Sequence, residues 1–141
     1  MNDMILPHCL DSELGLLNAC FHSDGLERVV NLVEPDDFYS DASKLIFAKI
    51  MEFYRSGNGF TLYQVDKAFQ DHTDYINIRK ILDELRPITA EVAAHYAKIV
   101  KGLSDRRKII KKIHTFYLDL HDPTFPLPTD LLTAIMGGLN E

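Results

Sequence analysis

The stretch from Ala90 to about Leu120 reads as one helical run of about 31 residues, with Thr89 placed to cap it. At 1.5 Å per residue such a helix would extend roughly 46 Å. A globule of about 100 residues has a radius of gyration near 13 Å, so a diameter near 26 Å. The run must therefore break or project. "KGLSD" is the candidate break, because Gly102 weakens a helix and Ser104 or Asp105 can cap a restart. Beyond it Ile109, Ile113, Phe116 and Leu120 fall at spacings of 4, 3 and 4, a seam suited to another helix. "DPTFPLPTD" then turns the chain with three prolines, and Thr129 or Asp130 restarts a helix carrying Leu132, Ile135 and Met136. Long helix, proline turn and short helix make a helical hairpin. The expected division is a helical head over residues 1–102 and a hairpin arm over residues 103–141.

The head reads as about five short helices. Leu10, Leu14, Leu17 and Phe21 recur at the helical period, with Leu16 and Cys20 widening the apolar face. "HSDG" should end that helix, and Asp24 can cap a short one through Leu32. Pro35 blocks continuation. Ser40 or Asp41 can cap the next helix, whose apolar positions are Leu45, Ile46, Ile50, Phe53 and Tyr54, and Gly57 and Gly59 close it. Thr61 and Gln64 form a capping box ahead of Val65 and Phe69. A helix carrying Ile78, Ile81, Leu82 and Leu85 follows, and Pro87 ends it. No alternating strand pattern of useful length appears. The predicted fold class is all-α, a compact helical bundle followed by a helical hairpin.

Apolar residues make up 46% and charged residues 26%, enough of each for a soluble domain with its own core. The two cysteines, Cys9 and Cys20, are too few for a disulfide framework and fit a reducing compartment. "MNDMILPHCLDSELG" carries no Lys or Arg before its apolar stretch, so it does not read as a signal peptide. No segment approaches the ~20 apolar residues that cross a bilayer. A cytoplasmic protein with no membrane contact is expected. The net charge of −6 is uneven. Thr89 to Asp122 holds seven basic residues against four acids, a net +3, while the other eight basic and seventeen acidic residues give −9. That acidic remainder argues against nucleic-acid binding over the whole surface.

No P-loop, no G-x-S-x-G elbow and no H-E-x-x-H motif occurs, so neither an active site nor a cofactor is expected. His8, Cys9, Cys20 and His22 invite comparison with a metal site. Cys9 and Cys20 lie eleven residues apart, about 16 Å along a helix, and zinc needs its ligands within about 2.3 Å of one point. Free thiols are the better reading. Asp36 and Asp37 are adjacent carboxylates without a catalytic partner, and a turn accounts for them. Arg106, Arg107, Lys108, Lys111 and Lys112 are the candidates for nucleic-acid or subunit contact. A solvated helix face or subunit contacts explain them better than phosphate binding, which so few charges would make weak and salt-sensitive. Phe38 is expected to fold against the Leu45/Ile46 face at a helix corner. Tyr39 beside it needs water or a partner for its hydroxyl.

These pieces have a familiar order. "SELGLL" (Ser12–Leu17) is followed by "EPDDFYSDASKLIFAKIMEFYRSGNGFTLYQV" and then "HYAKIVKGLSDRRKII". The series resembles the N-terminal domain of DnaB-type replicative helicases over about residues 7–122. Leu14-Gly15-Leu16-Leu17 matches the family's early helix. Pro35, Phe38 and Tyr39 match its P-x-x-F-Y turn. Tyr96-Ala97-Lys98-Ile99-Val100, leading to Arg107, matches its Y-A-x-I-V segment. Thr61 stands where the family often has Asp, and either caps a helix. The resemblance implies an all-helical head with a hairpin, part of the collar of a hexameric ring. Hairpins would pair as dimers and dimers assemble as a trimer, with Ile109, Ile113, Phe116, Leu120, Leu132, Ile135 and Met136 at the interface. It further implies contacts with primase and, in some systems, a helicase loader, weak or indirect DNA contact, and a motor in a separate domain. Two alternatives stand beside it: the helicase-binding domain of a primase, whose fold is similar, and a small DNA-binding regulatory protein. The aromatic turn and the Tyr96 segment favour the helicase side.

Overall fold

The computed structural model describes residues 5–86, 90–127 and 129–139. Seven α-helices appear among them: α1 Leu10–Cys20, α2 Ser23–Val29, α3 Asp41–Arg55, α4 Leu62–Phe69, α5 Tyr75–Glu84, α6 Ala93–Leu120 and α7 Thr129–Leu139. Single 3₁₀ turns span Pro35–Asp37 and Ala90–Val92. No strand occurs among the described residues. Pro87 and Thr89, expected to stop one helix and cap the next, and Pro128 lie outside them. Two compact units divide the chain, one of Ile5–Arg107 and one from Lys108 on.

The expected break at "KGLSD" does not occur. α6 is one 28-residue helix that passes through Gly102, Ser104 and Asp105. Helix propagation adds a hydrogen bond for each residue fixed, and one glycine costs only about 1 kcal/mol against that gain. Ser104 does not cap a restart. Its hydroxyl instead donates to Asp37 at 2.7 Å.

In the first unit the core runs through α1 and α3. Leu16, Leu17, Cys20, Ile46, Phe47 and Ile50 are fully buried, together with Val65 of α4 and Ile78 of α5. α3 packs on α1, α4 and α5. Leu10 departs from expectation: it opens α1 and stays exposed. Asp24 does not cap α2: the N-cap is His22, two residues earlier, and the helix ends at Val29 rather than Leu32. α1 does end just before "HSDG", at Cys20, and the last three residues of that stretch already belong to α2. Gly25 sits inside α2 because a Cβ there would run into the Ala19 carbonyl oxygen.

Local signals elsewhere act as their chemistry predicts. Ser40, rather than Asp41, caps α3 by accepting from the Ser43 N–H at 3.3 Å. Thr61 and Gln64 form a reciprocal capping box, with bonds of 2.9 and 3.2 Å. Gly57 takes a φ of +79° past the end of α3, a conformation that favours glycine. Phe38 is 1% exposed, and its ring lies 5.0 Å from that of Phe47, centroid to centroid. Phe38→Ala should therefore cost about 3–5 kcal/mol of unfolding free energy. Urea denaturation checks this, and an unchanged midpoint would contradict the packing.

Candidate protein-interaction site

The acidic aromatic turn is held from both sides by charged groups that burial hides from solvent. Glu13, on α1, is buried and accepts the backbone N–H groups of Tyr39 at 2.9 Å and Ser40 at 3.2 Å. Asp37 is buried in the turn itself. Its carboxylate accepts the Glu34 N–H at 2.8 Å, the Ser104 hydroxyl at 2.7 Å and the Lys101 ammonium at 3.4 Å. That carboxylate holds the Lys101 ammonium above the usual lysine range. Arg107, 7% exposed, donates to the Asp37 carbonyl at 2.6 Å and the Pro7 carbonyl at 2.9 Å. Its guanidinium carbon lies 5.7 Å from the centre of the Tyr39 ring. His8 stacks on the same ring at 4.0 Å and 6°.

Arg107 is thus not a member of the solvated basic face expected for it. It satisfies backbone carbonyls inside the head. Arg106, Lys108, Lys111 and Lys112 are exposed. Neither Glu13 nor Asp37 was foreseen as an anchor. The signal for Glu13 was available: it is an acid beside Leu14, Leu16 and Leu17 on a largely buried helix, where a charge needs partners. Tyr96 is half-buried, and its ring occupies the space over Gly15, 2.6 Å from where a Cβ would lie. Cys20 is a buried free thiol, and burial pushes it up to about 12; Cys9 is also free and accepts the Ser12 hydroxyl at 3.1 Å.

The second unit shows a different surface. Ile109 and Ile113 on α6 are 58% and 62% exposed. Leu120, Leu132, Ile135 and Met136 are exposed as well, and so are Tyr117, Leu118 and Leu127, which the seam did not include. Phe116 alone of the predicted set is half-buried, with its ring edge-on to Phe125 at 6.3 Å. On α7, Leu132, Ile135 and Met136 stand at i, i+3 and i+4, so they share one face.

A family comparison matches the DnaB-like helicase N terminal domain over residues 5–102. The chain belongs to the DnaB-like helicase N-terminal domain family. The match takes in α1, α3, the turn between them and the Tyr96 segment. Membership ties the chain to DNA replication and to the helicase side of the two similar folds weighed from sequence. Among solved structures, the chain is similar to the N-terminal domain of DnaB helicase from Mycobacterium tuberculosis. The TM-score is 0.74 at 16% identity, over 97% of this chain and 100% of that one, a likeness of fold. A comparison with curated proteins found no match. No helix among the described residues is long and apolar enough to cross a membrane.

Arg107→Ala removes the donors from two carbonyls and should lower unfolding stability by about 2–5 kcal/mol. Arg106→Ala and Lys111→Ala, both exposed, should stay within about 0.5 kcal/mol. Chemical denaturation of the three variants separates the buried arginine from its solvated neighbours.

Proposed function

We propose that this DnaB-like domain is a non-catalytic scaffold of a replicative helicase, which joins copies of the chain through its hairpin arm. The observation that carries the reading is the row of exposed apolar side chains from Ile109 to Met136. An unsatisfied apolar surface of this kind on a small helical unit favours burial against another protein surface. Spacings of 4, 3 and 4 along α6 suit a partner helix crossing at a shallow angle. A second copy offers the same seam, and a two-fold pair buries it symmetrically. The division into a head, residues 1–102, and an arm, residues 103–141, belongs to this proposal: the head would serve other partners while the arm builds the dimer, and dimers would build the collar. Primase is the proposed principal partner and a helicase loader a further one, acting in the cytoplasm. DNA contact would be weak or indirect, through Arg106, Lys108, Lys111 and Lys112.

Sedimentation velocity tests the assembly. The wild-type chain should sediment as a dimer or larger. Ile113→Glu and Ile135→Glu should each raise the dissociation constant by about 100-fold, because each buries an unpaired charge, while leaving the melting of the head unchanged. A clean monomer of the wild-type chain at high concentration would overturn the proposal.

A further inference from the structure

A groove of about 280 Å³ opens on the head, walled by Phe21 of α1, Phe60 and Leu62 at the start of α4, and Leu85 after α5. Asn18, Thr61 and Arg86 complete its described lining. The aromatic wall is braced: Phe60 meets Phe21 edge-on at 5.5 Å and stacks on Phe53 at 5.8 Å. These contacts fix its shape without filling it.

The polar end of this groove is chemically one-sided. Asn18 is 9% exposed. Its Oδ1 accepts the Arg86 N–H at 2.6 Å, and a backbone N–H is a donor only, so the orientation of the amide is decided. Nδ2 is then an NH₂ group carrying two donors, and it has no hydrogen-bond partner among the described residues. Arg86 spends one guanidinium nitrogen on the Asp83 and Leu85 carbonyls, at 2.7 Å each, and brings further N–H groups to the same end. The Thr61 hydroxyl accepts the Gln64 N–H and keeps its own O–H as a further donor. No side-chain nitrogen or oxygen among the described residues is buried without a partner, so this NH₂ group is reached by solvent, and an occupant that covers it must supply an acceptor or leave the donors unpaired at a cost in free energy. A wholly apolar occupant would strip water from the donors and offer nothing in return.

We infer that this groove is a docking site for a peptide segment of a partner protein that presents a bulky apolar side chain followed by a carboxylate. The side chain fills the space between Phe21, Phe60, Leu62 and Leu85. The carboxylate accepts from Asn18 Nδ2 and the Arg86 guanidinium, a charge-assisted pair stronger than a neutral bond. Leu62 and Tyr63, both exposed, extend the apolar wall towards the neighbouring α4–α5 cleft, which gives an extended peptide more surface than a small molecule would use. The inference does not rest on self-association of the arm.

Four labelled Gly/Ser-flanked nonapeptides with central Phe-Asp, Phe-Asn, Phe-Lys and Ala-Asp pairs test it by titration against the ¹⁵N-labelled chain. The Phe-Asp peptide should shift the Asn18 side-chain NH₂ resonances and the amides of Leu62 and Leu85. The Phe-Asn peptide should bind about tenfold more weakly, and Phe-Lys and Ala-Asp should not saturate. Asn18→Asp keeps the acceptor for the Arg86 N–H but replaces the donors with an anion, so it should abolish binding with the fold intact. Leu62→Lys alters an exposed wall residue and should do the same. Equal binding of all four peptides, or shifts elsewhere on the head, would overturn the inference. So would a change in the sedimentation of the chain on Leu62→Lys, which would mark a second copy as the occupant.

Discussion

Glu13, Asp37 and Arg107 are charged groups taken out of water at one corner of the head; Glu13 and Arg107 are matched to backbone, and Asp37 to one backbone N–H and the side chains of Ser104 and Lys101. Removing a charge from water is costly unless hydrogen bonds replace its hydration. Glu13 spends its carboxylate on two successive N–H groups after the turn. Arg107 spends its guanidinium on two carbonyls that are 30 residues apart in sequence, those of Pro7 and Asp37. These bonds fix chain direction as well as contact. The turn can lie only where Glu13 finds it, and α6 can lie only where Arg107 finds both carbonyls. Phe38 and Tyr39 take their opposite fates from this geometry: one ring goes into the core, and the other stays at the surface between His8 and Arg107.

The same corner joins three separated sequence segments. Glu13 belongs to the "SELGLL" helix, Asp37 to the acidic aromatic turn, and Arg107 to the basic end of the head. Tyr96 closes over Gly15, where any larger residue would meet its ring. The segments are therefore coupled by packing and hydrogen bonds within one unit. Most of the described apolar row of the second unit stays exposed, and the proposed assembly rests on that exposure.

Periodicity and caps made most of the fold legible. The Ser40 cap, the Thr61/Gln64 box and the glycine at position 57 each act through a local rule, and local rules can be read from a few residues. The misreadings arose where tertiary contacts prevailed. Gly102 suggested a break, but α6 gains more from continuing. Asp24 suggested a cap, but the N-cap of α2 falls two residues earlier, at His22, with Gly25 fitted against the end of α1. Arg107 looked like one of five equivalent basic residues, because a run of charges does not reveal which member meets two distant carbonyls. The groove at Asn18 was not legible at all: its walls come from three segments, and the amide turns its donors outward only once Arg86 has claimed the oxygen.

Amide hydrogen exchange at Tyr39 and Ser40 tests the central claim most directly, since these N–H groups are the ones Glu13 holds. If the buried charges anchor the head, both amides exchange only through global unfolding, with the same free energy as the core amide of Ile50 in α3. Exchange at Tyr39 and Ser40 through low-energy local opening, with Ile50 still protected, would contradict it.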